Sequence, residues 1–246
     1  MKRINIKNSV IALAIGLFAV SCGSGGSKQH IIAQEKFENL ERYLKGLENE
    51  DAFSGVVVIA KDGKNLYSKT IGYTNRENKV KINLDSQFDL SSTSKLYTGT
   101  SVLKLIQEGK IKTDDKIGKY FPELEYGDKV TIHHLLTHSS GYSDFYNIED
   151  FSYTKVKNCS DVIPFIKDQK LKFNPGDSVY YSTSGMIILG ALIEKVSGLS
   201  YKDYVTKNIF EPLGMSHTSF VNYVNASESD DKKGIYAKAY IKNDNN

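Results

Sequence analysis

A chain of 246 residues, a quarter of them charged and 40% hydrophobic, is long enough for a sizeable core and too apolar to be globally disordered. Its formal charge of +3 is carried by residues 1–21, which hold Lys2, Arg3 and Lys7 and no acid. The remainder is neutral, so the basic balance gives no support for a nucleic-acid partner, which requires a clustered basic patch.

In chain order, the basic start leads into an apolar run over residues 10–20 that is too short to span a bilayer comfortably. It ends in Ala19-Val20-Ser21-Cys22, which resembles a bacterial lipobox. The resemblance implies a signal peptide over 1–21, diacylglycerol on the Cys22 sulfur and a lipid anchor in the membrane of the cell envelope. Gly23-Ser24-Gly25-Gly26-Ser27 follows, so residues 22–33 read as a flexible tether and 34–246 as the folded domain. With Cys22 lipidated, Cys159 has no partner for a disulfide within the chain.

Phe37, Leu40, Leu44 and Leu47 recur at helical spacing and predict a helix over 30–48. The β-branched run at 54–60 predicts a buried strand, and Asp62-Gly63 predicts a hairpin returning through Leu66 and Tyr67 to Ile71. After an extended Phe88-Asp89-Leu90, a helix is expected to open near Ser92, bury Leu96, Val102, Leu103 and Ile106, and end at Gly109. Helices dominate about 110–215. Thr131 caps one of them, Asn174-Pro175-Gly176 marks a turn, and residues 186–196 form an apolar helix closed by Ser197-Gly198. Ser200 caps another that runs through Ile209 and Phe210 and stops at Pro212. Two front strands without later partners fall short of the three or more that a stable sheet needs.

A serine hydroxyl needs a nearby base and donors for the oxyanion it creates. Ser-x-x-Lys at a helix start supplies part of this, because residues i and i+3 share a face and the helix start favours negative charge. The spacing occurs at Ser92/Lys95, Ser101/Lys104, Ser152/Lys155 and Ser229/Lys232. Ser101 falls inside a helix, and the last two lie in polar, loop-like stretches. Only Ser92 follows an extended segment and opens a long amphipathic helix, a position at which serine also serves as an ordinary cap.

The segment 88–95 (FDLSSTSK) resembles the nucleophile segment of serine β-lactamase-like and penicillin-binding proteins: class C β-lactamases, DD-peptidases and esterases. Residues 131–141 (TIHHLLTHSSG), Asn174-Pro175-Gly176 through Tyr181-Ser182, 189–198 (LGALIEKVSG), and Pro212-Leu213-Gly214-Met215 through Phe220 are also similar to that family, in order. The resemblance implies an α/β (α+β) fold, an antiparallel sheet with a helical domain, and a serine hydrolase forming an acyl-enzyme on amide or ester bonds. The substrate would be a β-lactam, a D-Ala-D-Ala or other peptidoglycan-derived peptide, or a small ester. By position, Ser92 would be the nucleophile, Lys95 its activator and Tyr181 the proton shuttle.

Two departures stand out. Thr183 occupies the substrate-binding position where the family usually has asparagine, and offers a hydroxyl of shorter reach in place of an amide. No Lys-Thr-Gly or His-x-Gly follows Tyr181, and Lys232-Lys233-Gly234 lies in a polar stretch, so the fold's C-terminal sheet strands are expected to be missing. A non-catalytic relative that binds cell-wall fragments or a protein partner is the alternative. His134 and His138 are four apart but lack the intervening glutamate of the common zinc motif, and no Gly-rich phosphate loop is present. Neither a metal nor a cofactor is expected.

Overall fold

The computed structural model describes residues 26–145, 148, 151, 156–220 and 236–238, with side chains from Phe37 onward. The signal-peptide reading, Cys22, Ser152/Lys155, Ser229/Lys232 and Lys232-Lys233-Gly234 lie outside the described residues. The chain divides into two compact units, residues 1–73 and 74–246. Among the described residues, no helix is long and apolar enough to cross a membrane.

In the first unit, α1 (Gly26–Asn49) is followed by β1 (Gly55–Lys61) and β2 (Lys64–Ile71), which pair antiparallel. Asp62 and Gly63 both take positive φ, the conformation that a two-residue hairpin turn of matching twist requires. A register shift after Ile59 leaves Leu66 unpaired and 51% exposed. Phe37 stacks on Tyr67 at 5.3 Å, and Glu41 accepts from the Tyr67 hydroxyl and the Lys69 ammonium at 2.8 and 3.0 Å. The expectation that β1 is buried is corrected. Only Gly55 is, and Val58 stands 55% exposed, because the described sheet stops at two strands.

A small pair, β3 (Tyr73–Asn75) and β4 (Val80–Lys81), spans the boundary and opens the second unit, whose other named elements among the described residues are helical. Its helices are α2 (Lys95–Gln107), α3 (Ile132–Leu136), α4 (Ile163–Ile166), α5 (Thr183–Ser197) and α6 (Tyr201–Val205), the last widening into a π turn over Thr206–Phe210. The apolar α5 is central, with α2, α3, α4 and α6 all packed on it. Ile188, Leu189, Leu192 and Ile193 of α5 meet Val102 and Leu105 of α2 and Ile132 and Leu135 of α3 in one buried core.

The face assigned to α2 is a second correction. Leu96 and Leu103 are 68% and 58% exposed, while Thr98, Ser101, Val102 and Leu105 form the buried stripe. Thr98 is satisfied there, since its Oγ1 pairs with the Tyr201 hydroxyl at 2.7 Å, while the buried Ser101 hydroxyl has no hydrogen-bond partner among the described residues. The helix stops follow the sequence: Lys110 N–H returns to the Leu105 carbonyl after Gly109, and Gly198 ends α5 in the left-handed region.

Candidate active site

Asp89 Oδ1 accepts the Ser91 N–H at 2.7 Å, and Ser91 takes a φ of 45°, which is uncommon without glycine. The chain then makes a 3-10 turn over Ser91–Ser94, tied by the Ser94 hydroxyl donating to the Ser91 carbonyl at 2.6 Å. The α-helix proper begins only at Lys95, so Ser92 sits on the lead-in turn and not on α2 itself. The tighter turn serves the pair well, since at three residues per turn the side chains of i and i+3 eclipse. Lys95 Nζ accordingly donates to Ser92 Oγ at 3.2 Å. Backbone N–H groups in a first helical turn lack intrahelical acceptors, so the Ser92 N–H is placed to serve as an oxyanion donor.

Tyr181 comes from the extended segment that precedes α5. Asn174-Pro175-Gly176 turns the chain, with the Asp177 N–H on the Asn174 carbonyl at 3.0 Å, and the Gly176 N–H returns to the Ser139 carbonyl at 2.9 Å. Ser182 then caps α5 by accepting from the Gly185 N–H at 3.1 Å. These ties bring the Tyr181 ring to 5.2 Å from Lys95 Nζ. Its phenol is held below the ordinary tyrosine range, first by hydrogen bonding from Ser92 and then from Lys95, with burial opposing them. Ser92, Lys95 and Tyr181, drawn from two segments some 90 residues apart in sequence, thus form one group.

Thr183 is the first residue of α5, and its N–H donates to Asp144 Oδ1 at 2.5 Å. Its backbone is therefore committed, and its side chain is half-buried. Asp144 was not legible from spacing, because it reaches the site across 39 residues. His138 contributes more than its sequence suggests. Its ring lies 4.6 Å from that of Tyr181, its Nδ1 accepts the Ser182 N–H at 3.2 Å, and its carbonyl accepts the Tyr180 N–H at 2.9 Å.

Within the described residues, the competing motifs have other roles. Ser101 is fully buried in α2. Tyr73-Thr74-Asn75, a second tyrosine followed two residues on by the asparagine that position 183 lacks, builds a turn in which Thr74 Oγ1 donates to the Val80 carbonyl and Asn75 Oδ1 accepts from Asn78 N–H. His134 completes the α3 cap reciprocally with Thr131, at 3.1 and 3.3 Å. Among the described residues no His, Cys, Asp and Glu group is arranged to hold a metal. Two surface hollows, about 370 Å³ beside Phe121 and Ile163 and about 280 Å³ beside Tyr126 and Phe173, contain none of the Ser92 group. Ser92 is exposed and Tyr181 is 51% exposed, so within this unit the group is an open patch.

The family model described as Beta-lactamase matches residues 40–234. Penicillin-binding protein 4* of Bacillus subtilis is 31% identical over 212 residues, covering 85% of this chain and 46% of that protein. Protein flp of Staphylococcus aureus is 32% identical over 179 residues, covering 71% and 36%. The chain therefore spans less than half the length of these curated relatives. Among solved structures, the octameric penicillin-binding protein homologue from Pyrococcus abyssi superposes with a TM-score of 0.70 at 30% identity, covering 85% of this chain and 48% of that one. A penicillin-binding protein from Bacillus halodurans gives 0.70 at 26% identity, covering 82% and 61%. A class C β-lactamase in complex with cefoxitin, at 24% identity, shares the fold with a TM-score of 0.68, covering 83% and 55%. The turn that carries Ser92, the segment that carries Tyr181 and the helical core are thus parts of a β-lactamase/transpeptidase-like fold, and the chain belongs to the Beta-lactamase family.

Proposed function

We propose that the protein is a serine hydrolase that forms an acyl-enzyme on Ser92. The observation that carries this reading is the Lys95 Nζ–Ser92 Oγ contact at 3.2 Å with the Tyr181 ring beside the same ammonium. Tyr181, in its phenolate form beside the Lys95 ammonium, accepts the Ser92 proton as Oγ attacks the carbonyl carbon of an amide or ester. The tetrahedral oxyanion draws on the Ser92 N–H. The bond from carbon to the leaving nitrogen or oxygen then breaks, and the leaving group takes the proton back from Tyr181. Water repeats the sequence on the acyl ester and frees Ser92.

A β-lactam, a peptide ending in D-Ala-D-Ala and a small ester all present the carbonyl that this sequence needs. With threonine at position 183 a substrate amide loses a side-chain amide partner, which favours substrates that depend less on that contact. A fluorescent fluorophosphonate and a fluorescent penicillin, incubated with the full chain, test the reading. Both should label the wild-type protein, and Ser92→Ala should abolish labelling while Ser101→Ala leaves it unchanged. A Ser92→Ala protein that labels as well as wild type overturns the assignment. A wild-type protein inert to both probes favours a non-catalytic relative.

A further inference from the structure

His138 approaches the Tyr181 arm in a way that the hydrolase reading does not require. Its carbonyl takes the Tyr180 N–H at 2.9 Å and its Nδ1 takes the Ser182 N–H at 3.2 Å. The residue on each side of Tyr181 is therefore bound to one histidine, while that histidine's ring lies against the Tyr181 ring at 4.6 Å, tilted by 33°. His138 reaches this position with a φ of 55°, a left-handed backbone in which histidine, like asparagine and aspartate, is enriched among non-glycine residues.

An imidazole nitrogen that accepts from a backbone N–H carries no proton, so the other nitrogen holds the hydrogen of the neutral ring. A second proton could enter only at Nδ1, where it would face the Ser182 donor. Among the described residues, the charged groups around the ring are few. Lys95 approaches from the start of α2 and Asp144 from the loop that follows His138, with the Tyr181 phenol alongside. Burial, and then the Lys95 charge, disfavour the imidazolium; Asp144 pulls the other way without cancelling them.

We propose that His138 is a positioning residue whose neutral ring and carbonyl together latch residues 180–182, so that Tyr181 is presented to Ser92 and Lys95, and that protonation of the ring opens the latch. The inference rests on the reading of Tyr181 as part of an acylation site. It makes acylation sensitive to acid through a group that touches no reacting atom. An opened latch frees the Ser182 N–H and places a second cation beside Lys95. Tyr181 then loses its orientation.

Nuclear magnetic resonance on the full ¹⁵N-labelled chain tests the latch without any substrate. At pH 8 the His138 ring should be protonated at Nε2 alone. On acidification the Ser182 amide should shift with the midpoint of the His138 ring, below the ordinary imidazole value of about 6.5. His138→Asn keeps an acceptor near the Nδ1 position and tolerates the left-handed backbone. His138→Phe keeps the ring and loses the acceptor. Fluorophosphonate labelling of Ser92 in wild type should slow on the acid side with the same midpoint. It should be slower by about tenfold in His138→Phe across the pH range, the scale of one hydrogen bond's net contribution. His138→Asn should recover most of that rate and lose the acid limb. A ring protonated at Nδ1 at pH 8, or a Ser182 amide indifferent to the ring's titration, overturns the proposal. So does a His138→Asn protein no faster than His138→Phe. If the latch titrates as described but wild-type Ser92 labels at no pH, the hydrolase reading fails and the latch stands.

Discussion

In the proposed acylation, Tyr181 and Lys95 divide the work of activating Ser92, and the division can be measured. Ser92 and Lys95 were legible because both lie on one turn, where a three-residue offset fixes proximity without any tertiary information. Tyr181 was legible only through its neighbours, the Pro175-Gly176 turn before it and the Leu189-Gly190 helix after it, because sixteen tyrosines make any single one uninformative. Asp144 and the latch at His138 were not legible, since the contacts made by Asp144 at Thr183 and by His138 at Ser182 close loops of 39 and 44 residues. The contribution of the phenol is tested by Tyr181→Phe, which keeps the ring beside Lys95 and deletes the oxygen. Labelling of Ser92 should slow by about 100-fold or more, the usual weight of a positioned acid–base group. Lys95→Arg should also fail, because a guanidinium keeps its proton and its planar fork does not reproduce the contact of an ammonium with Ser92 Oγ. A Tyr181→Phe rate within a few-fold of wild type would assign the proton transfer to Lys95 alone.

The helical elements owe their placement largely to α5 and to one acid on it. Glu194 Oε1 accepts the Cys159 N–H and the Tyr201 N–H, each at 3.1 Å, and Oε2 accepts the Ser160 N–H and hydroxyl. One carboxylate thus joins the 3-10 turn over Cys159–Val162 and the start of α6 to the end of α5. Gly190, one turn earlier, makes room for the same turn, because a Cβ there would stand 2.5 Å from Cys159 Sγ. Burial pushes that thiol up to about 12, which disfavours the reactive thiolate near neutral pH. Capping residues announced α3, α5 and α6, so their existence was readable from Thr131, Gly198 and Ser200. The face of α2 was misjudged because apolar periodicity ranks Leu96 above Ser101, whereas the packed side of α2 takes small polar residues. Glu194→Ala should cost about 2–3 kcal/mol, since it strands several donors at once and hydrogen bonds to a charged acceptor are the stronger kind. In a chain of this size that lowers the melting temperature by roughly 4–12 °C. Glu194→Gln, which retains one acceptor, should lose less. A Glu194→Ala melt that coincides with wild type would show that the four bonds contribute nothing net.

At the scale of the whole molecule, apolar burial is unequally shared. Residues 74–246 contain a continuous core in which Ile132, Leu135, Ile188, Leu189, Leu192 and Ile193 are all fully buried. In residues 1–73 the buried hydrophobics among the described residues are Leu44 and Ile71. The hairpin of β1 and β2 instead leaves Val58, Ile59 and Leu66 exposed, and a two-stranded ribbon is marginal in water without further strands or an apolar face well covered. This also explains why the strand reading at 54–60 was right about conformation and wrong about burial: β-branched residues fix an extended backbone locally, while burial depends on what is stacked against it. Amide exchange follows the local free energy of opening, which tracks buried apolar contact and the solvent exposure of backbone hydrogen bonds. Amides at 55–71 should therefore exchange well before those at 186–196, whose helix is enclosed by four others. Hydrogen exchange with mass spectrometric readout on the full chain separates the two segments. Equal protection across both would mean that the hairpin is covered in solution by a segment outside the described residues or by a second molecule. Repeating the exchange at several protein concentrations distinguishes these, since protection by a second molecule fades on dilution and protection within the chain does not.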